Sequence, residues 1–250
     1  MKVSIITVCY NSEKTIERTI ESVFNQTYQD IEYIIVDGAS QDNTLNIINK
    51  YKEKFGQRLI VISEPDHGIY DAMNKGIEAA TGDIIGIINS DDWYEPDAVQ
   101  NIVDNYQKGK EYQILYGVAN IVDGSEIKET IWRSISCINQ HMILHPATFV
   151  TKSVYEKYGV FSLDYKICSD YDLFLKYSKI SEIEFVPIRN VVSNFSTGGA
   201  SSNFLCQIES NEIRYKHNAI SKKVYKKLKN RFRLIQFKHE LVRRVNKWRR

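Results

Sequence analysis

No apolar run in this 250-residue chain approaches the roughly 20 residues needed to cross a bilayer, so no membrane-spanning helix is expected. The opening MKVSIITVCYNS carries one lysine, a short apolar stretch and no small-residue cleavage site. It reads as a strand rather than a signal peptide. Two glycine signatures are missing: no GxGxxG follows a strand, and GxxxxGK[ST] occurs nowhere. Their absence disfavours a dinucleotide fold of the usual kind and a phosphate-cradling loop for ATP or GTP. The four cysteines, Cys9, Cys137, Cys168 and Cys206, are widely spaced and form no CxxC pair. Reduced thiols in a cytoplasmic protein are expected, and a zinc site is not.

What is present is enough to bury a core: 43% of residues are hydrophobic and 26% charged. A net charge of +2 hides an asymmetry. Residues 214–250 hold 15 Lys or Arg against one acid, Glu240, whereas residues 1–213 hold 18 basic and 30 acidic residues. An acidic body with a basic tail implies two jobs.

The first hundred residues alternate between β-branched runs and helical patterns. KVSIITVCY, DIEYIIVD, RLIVISEPD and DIIGIINSDD read as strands. Between them, SEKTIERTIESVFNQ puts Ile16, Ile20, Val23 and Phe24 on one helical face with Ser12 as N-cap. DNTLNIINKYKEKF, with Asp42 as cap, and IYDAMNKGIEAA are the next helices, and Pro96 is placed to open another. Such alternation predicts an α/β fold: a mostly parallel sheet with helices on both faces. Further on, QILYGVANIVD and EIKETIW read as a strand pair turning at Asp123-Gly124. SDYDLFLKYSK reads as a helix with Leu173, Phe174 and Tyr177 on one side, NVVSNFSTGGASSNF as a loop, and residues from Leu205 as a long basic helix.

Polar clusters fall after each of the first four strands: Tyr10 and Asn11, Asp37, Asp66 and His67, and Asn89 to Asp92. One such cluster is ordinary turn chemistry. Four at the carboxyl edge of an open α/β sheet mark a ligand site. In GDIIGIINSDDW a buried run ends in adjacent carboxylates, whose mutual repulsion demands a compensating positive charge. With no glycine cradle, a divalent cation on Asp91 and Asp92 carrying a nucleoside diphosphate answers that demand.

VSIITVCYNSEKTIERTIESVFNQTYQDIEYIIVDGASQDNT, SEPDHGIYDAMNKGIEAATGDIIGIINSDDWYEPDA, HPATFVTKSVYEKYGVF and SDYDLFLK together resemble the inverting family-2 nucleotide-sugar glycosyltransferases, from residue 3 to about 200. Bacterial enzymes of exopolysaccharide, capsule or O-antigen synthesis are the most similar group. The resemblance implies a Rossmann-like GT-A fold, Mn²⁺ or Mg²⁺ as cofactor, a UDP-sugar donor and a saccharide or lipid-linked saccharide acceptor. It implies a GT-A domain over residues 1–204, with a nucleotide-sugar half to about 110 and an acceptor half beyond it, followed by the basic helical tail 205–250. By position it implies nucleoside contacts around Thr7, Val8 and Tyr10, with Asp37 on the uracil or ribose and Asp66 and Gly68 near the base. Asn74 and Lys75 would face the nucleotide, Lys75 approaching a phosphate. Asn89-Ser90-Asp91 matches the DxD element with Asn at its first position. Asp91 becomes the metal ligand, and Asp92 either supports the metal or orients the donor sugar. The family's VDDGS is VDGAS here and keeps Asp37.

The general base is implied to be Asp170, with Asp172 as rival; residues i and i+2 of a helix do not share a face. His145 would lie on the acceptor side. A His141–His145 metal pair is disfavoured by Pro146, which interrupts a helix there. Trp93 either stacks on a sugar or packs beneath the metal loop.

Two other classes compete. A nucleotidyltransferase would want a Gly-rich basic N-terminal loop, which TVCYNSEKT lacks. A nucleic-acid binder fits the tail but not the acidic body, so no nucleic acid is expected. The tail's apolar residues Val224, Leu228, Phe232, Ile235, Leu241, Val242, Val245 and Trp248 suit packing on the domain or an anionic membrane surface. The latter would make the protein peripheral at the inner face of the cell membrane.

Overall fold

The computed structural model describes residues 1–199 and 204–232. Its first part runs β1 (Val3–Cys9), α1 (Ile16–Phe24), β2 (Ile31–Asp37), α2 (Thr44–Phe55), β3 (Leu59–Ser63), α3 (Ile69–Ala79) and β4 (Ile84–Asn89). These strands pair in parallel in the order β3-β2-β1-β4. The chain winds outward from β1 to β3, then returns to lay β4 on the other side of β1. The carboxyl ends of β1 and β4 therefore flank the point where the winding reverses, the usual ligand crevice of such sheets.

Both faces of these strands are covered, so they read as continuous apolar runs. Ile6, Val8, Ile34, Ile85 and Ile87 pack with Met73 and Ile77 of α3 on one face. Ile5, Tyr33, Ile35 and Ile88 pack with Ile16 and Ile20 of α1 and Ile48 of α2 on the other.

The remainder is β5 (Trp93–Tyr94), α4 (Ala98–Asn105), β6 (Gln113–Asp123), β7 (Glu126–Ile131), β8 (Thr148–Thr151), α5 (Lys152–Tyr158), α6 (Ser169–Tyr177), β9 (Glu184–Ser196) and α7 (Phe204–Lys216). β8 pairs antiparallel with both β4 and β6, continuing the sheet as β4-β8-β6-β9-β5, with β7 paired to β6.

Four local expectations change. Residues 190–196 are not a loop but the second half of β9. The Asn194 side chain finds partners inside: it accepts from Asn120 Nδ2 at 3.0 Å and donates to Glu95 Oε1 at 2.7 Å. Pro96 lies before α4, in a turn closed by the Ala98 N–H on Glu95 O at 3.0 Å. Ser12 caps through its carbonyl, which accepts from Thr15 and Ile16, because its hydroxyl is engaged elsewhere. The long C-terminal helix is interrupted: α7 ends at Lys216 and helix resumes over 222–232.

The expected boundary at 204 falls where α7 begins, and α7 is part of the core. Glu209, Asn211 and Ile213 are buried, Ile213 among α6 residues. Helix 222–232 folds back on α7, with Tyr225 stacked on Tyr215 at 4.5 Å and Phe232 against Phe204 at 5.7 Å. Val224 is exposed, while Ile235, Leu241, Val242, Val245 and Trp248 lie outside the described residues. Among the described residues no helix is long and apolar enough to cross a membrane.

Candidate active site

A cavity of about 790 Å³ opens on the carboxyl edge of the parallel strands. Val8 near the end of β1 with Tyr10 and Ser12 beyond it, and Asn89 at the end of β4 with Ser90 and Asp91 beyond it, line one side. Asp66, Gly68 and Tyr70 at the start of α3 form a wall, and His145, Lys166, Cys168, Asp170 and Cys206 form the facing one. The Ser12 and Ser90 hydroxyls lie 2.8 Å apart and tie the two strand ends together across the crevice. Asp66 Oδ1 accepts the Gly68 N–H at 2.8 Å. A Cβ at position 38 would fall 2.4 Å from Asp66 Oδ2, so Gly38 is what lets this carboxylate lie against the loop after β2.

The adjacent acids turn opposite ways. Asp92 is 1% exposed and faces the protein, its Oδ1 accepting the Ser196 N–H at 2.8 Å and its Oδ2 the Asn89 amide at 3.3 Å. Burial, then the Asp91 charge, push its carboxyl well above the usual range. Asp91 lines the cavity. Its own carboxyl is raised by burial, against which His145 and Arg18 act. Arg18 lies 3.5 Å over the Trp93 ring and donates to Asp91 O at 2.8 Å, bracing the loop from below. Ser196 Oγ donates to the same carbonyl at 2.5 Å.

A divalent cation fits this place in part. Asn89 Oδ1 and His145 Nε2 are buried without a hydrogen-bond partner, and the raised Asp91 carboxyl shows how incompletely Arg18 and His145 offset its burial. Among the described residues no cluster of three His, Cys, Asp or Glu side chains could hold a metal alone. A cation here would take Asp91 and draw its remaining oxygens from a bound phosphate or water.

Asp170 stands at the start of α6, where an anionic side chain is favoured. It is 4% exposed. Its Oδ2 is 3.2 Å from His145 Nδ1, and its Oδ1 accepts from Tyr70 Oη at 3.0 Å and from the Tyr171 N–H at 2.9 Å. Tyr70 Oη is also 2.5 Å from Ile167 O. Asp172 points the other way, to Lys216 Nζ at 3.2 Å at the end of α7 and to His217 Nε2 at 2.8 Å just beyond it.

Of the residues expected in the site, Val8, Tyr10, Asp66, Gly68, Asn89, Ser90, Asp91, His145 and Asp170 meet in the cavity. Six do not line it. Thr7 is fully buried, accepting from Tyr33 Oη at 3.0 Å. Asp37 is turned inward and taken up by Ser40 and by Ser63 Oγ at 2.7 Å. Asn74 is spent on the Phe161 backbone at 2.9 and 3.1 Å. Lys75 pairs with Glu64 at 2.8 Å and Asp71 at 3.6 Å on the surface. Asp92 and Trp93 brace the loop as described.

Sequence reasoning passes over Arg18, Tyr70, Ser196 and Glu209. Glu209, on α7, accepts the N–H groups of Lys166 at 2.9 Å, Ile167 at 2.9 Å and Cys168 at 3.0 Å, holding the approach to Asp170. Only Tyr70 carried a signal, by its place in the first turn after Gly68.

A Rossmann-like α/β domain thus presents an acidic crevice at the reversal point, facing a buried Asp–His–Tyr cluster. The signature of glycosyl transferase family 2 matches residues 4–169. The chain is 32% identical over 206 residues to an uncharacterised glycosyltransferase of Mycobacterium tuberculosis, covering 80% of this chain and 77% of that one. It is 34% identical over 187 residues to the chondroitin synthase of Pasteurella multocida, 73% of this chain but 19% of that protein. Among solved structures, S. aureus TarS 1–349 in complex with UDP-GlcNAc superposes with a TM-score of 0.71 at 18% identity, over 93% of this chain and 71% of that one. The chain belongs to glycosyl transferase family 2.

Proposed function

We propose that this glycosyltransferase moves a hexose or N-acetylhexosamine from a UDP-sugar to a hydroxyl of a saccharide acceptor, with inversion at the anomeric carbon. The observation that carries the reading is the meeting of the β1/β4 edge with the His145–Asp170 pair in one cavity. Two structural neighbours lend support: TarS was solved with UDP-GlcNAc, and a Pyrobaculum calidifontis mannosyltransferase, TM-score 0.64, with GDP-Man and Mn²⁺.

Asp170 accepts the proton of the acceptor hydroxyl as that oxygen attacks the anomeric carbon. The bond to the diphosphate breaks on the opposite face, and the diphosphate leaves with the electron pair. One base and one displacement give inversion. Tyr70 and His145 fix the carboxylate's direction. Mn²⁺ or Mg²⁺ on Asp91 would neutralise charge on the departing diphosphate. Asp170→Asn should fold, bind UDP-sugar as the parent does, and lose ~10²–10⁴-fold in turnover. Near-parental turnover would overturn Asp170 as the base, and release of pyrophosphate in place of UDP would overturn the reaction. UDP affinity indifferent to EDTA would remove the cation from it.

The acceptor, on this reading, is lipid-linked and reached at the inner face of the membrane. The basic residues of helix 222–232 (Lys222, Lys223, Lys226, Lys227, Lys229 and Arg231) are all exposed, as attraction to anionic headgroups requires. The full chain should sediment with anionic vesicles at low salt and leave them at high salt. Failure to sediment at low salt sinks the membrane role and leaves the transfer reaction standing.

A further inference from the structure

Cys168 and Cys206, expected as unrelated thiols, meet in space. Their Sγ atoms lie 2.8 Å apart, one thiol donating to the other, and both line the cavity. Cys168 immediately precedes α6, its N–H held by Glu209 Oε2 at 3.0 Å. Cys206 is in the first turn of α7, and Ser210 Oγ stands 3.4 Å from the Cys168 sulfur and 3.8 Å from that of Cys206. Each partner is thus fixed by its own backbone anchor before any bond forms. The pair is no metal centre, since no third His, Cys, Asp or Glu joins it among the described residues.

We propose that Cys168 and Cys206 form an oxidation site in the cavity wall, with a hydroperoxide as reactant, closing to a disulfide that slows glycosyl transfer. The half-buried Cys206 reacts first. Its thiolate attacks one peroxide oxygen, the O–O bond breaks, and hydroxide leaves as Cys206 becomes a sulfenic acid. The Cys168 sulfur then attacks the Cys206 sulfur, expelling the sulfenic oxygen as water and forming the S–S bond. Two thiols and one hydrogen peroxide give one disulfide and two waters; two electrons pass from sulfur to oxygen.

The surroundings select this pair. The hydrogen bond from Cys168 draws the Cys206 thiol below its ordinary value, which favours the reactive thiolate. Cys9 is buried and pushed up by burial and by Asp37, so it is inert. Cys137 is exposed but has no thiol beside it among the described residues. The rate effect rests on Asp170 as base: the bond ties α7 to Cys168, two residues before Asp170, and removes the freedom of that helix start to adjust to substrate.

The reduced full-length protein is treated with hydrogen peroxide and followed by intact mass, peptide mapping and UDP release from UDP-sugar. We expect loss of the mass of two hydrogens, a link mapped between Cys168 and Cys206, slower UDP release, and recovery of both with dithiothreitol. Cys137→Ser should behave alike, and Cys206→Ser should form no link. Peroxide that leaves both thiols free, or carries Cys206 to a sulfinic acid without linkage, overturns the site. A mapped link with an unchanged rate overturns its coupling to transfer. The mass readout holds whether or not the proposed base is right.

Discussion

Asp91 and Asp92 are neighbours in the chain and opposites in environment, and the choice between them is made 104 residues away by the backbone of Ser196. The demand for positive charge at this strand end is legible in the sequence. Which acid faces the cavity is not legible from charge alone, because it depends on a strand that pairs only in three dimensions; only the match to the DxD element points to Asp91. The helical rule that parts Asp170 from Asp172 works, since both lie on one short helix with fixed geometry. Thr7 and Asp37 escape such reasoning because strands covered on both faces offer no polar side to read. A local strain sits beside them. Ala39 has φ +60°, in the left-handed region that costs a Cβ-bearing residue roughly 1–2 kcal/mol. Glycine also gains freedom in the unfolded chain, which offsets part of that relief. Ala39→Gly should therefore raise stability by about 0.5–1 kcal/mol, read from the urea midpoint. A lower midpoint would mean the alanine methyl contributes more by packing than it costs by strain.

Among the elements, α7 departs furthest from its sequence reading. The basic run that begins at Arg214 assigns it to a tail, but Glu209 makes it a brace for the loop that leads into α6. A carboxylate accepting three successive backbone N–H groups leaves no compositional trace, just as the inward amide of Asn194 on β9 leaves none. The strands and helices of the first hundred residues are legible for the contrary reason: their periodicity alone specifies which face is buried. Glu209→Gln keeps the volume but offers one acceptor oxygen, and sets an N–H₂ against a backbone N–H. Hydrogen bonds to a charged group contribute about 1.5–3 kcal/mol each, so a loss of about 2–3 kcal/mol is expected. Turnover should fall at least several-fold while donor affinity, set across the cavity at β1 and β4, stays at the parental value. Equal losses in affinity and turnover would point to general loosening and against a specific hold on Asp170.

Across the whole molecule, the edge opposite the cavity carries its own lock. Glu32, 5% exposed, accepts from Lys2 Nζ at 2.7 Å, Ser4 Oγ at 2.7 Å, and the Thr81 N–H and Oγ1 at 2.8 and 2.7 Å. These bonds join the amino ends of β1 and β2 to the turn that enters β4. Burial alone would raise the Glu32 carboxyl, but the donors outweigh it and hold it at about 2. The unfolded chain takes up its proton near the ordinary value of about 4.3, so acid favours unfolding. The stabilisation is complete above that value and is lost as pH falls through about 2. Lys2 is partly exposed and screened by solvent, so ~2 kcal/mol is a fair discounted magnitude. Urea unfolding of the parent and of Glu32→Gln should give curves well apart at pH 7 that close between about pH 4 and 2. At pH 7 the variant should still bind UDP-sugar like the parent, because the lock lies at the far end of the strands from Asp91 and Asp170. A gap between the two proteins that stays constant down to pH 2 would show that the glutamate acts by shape rather than by charge.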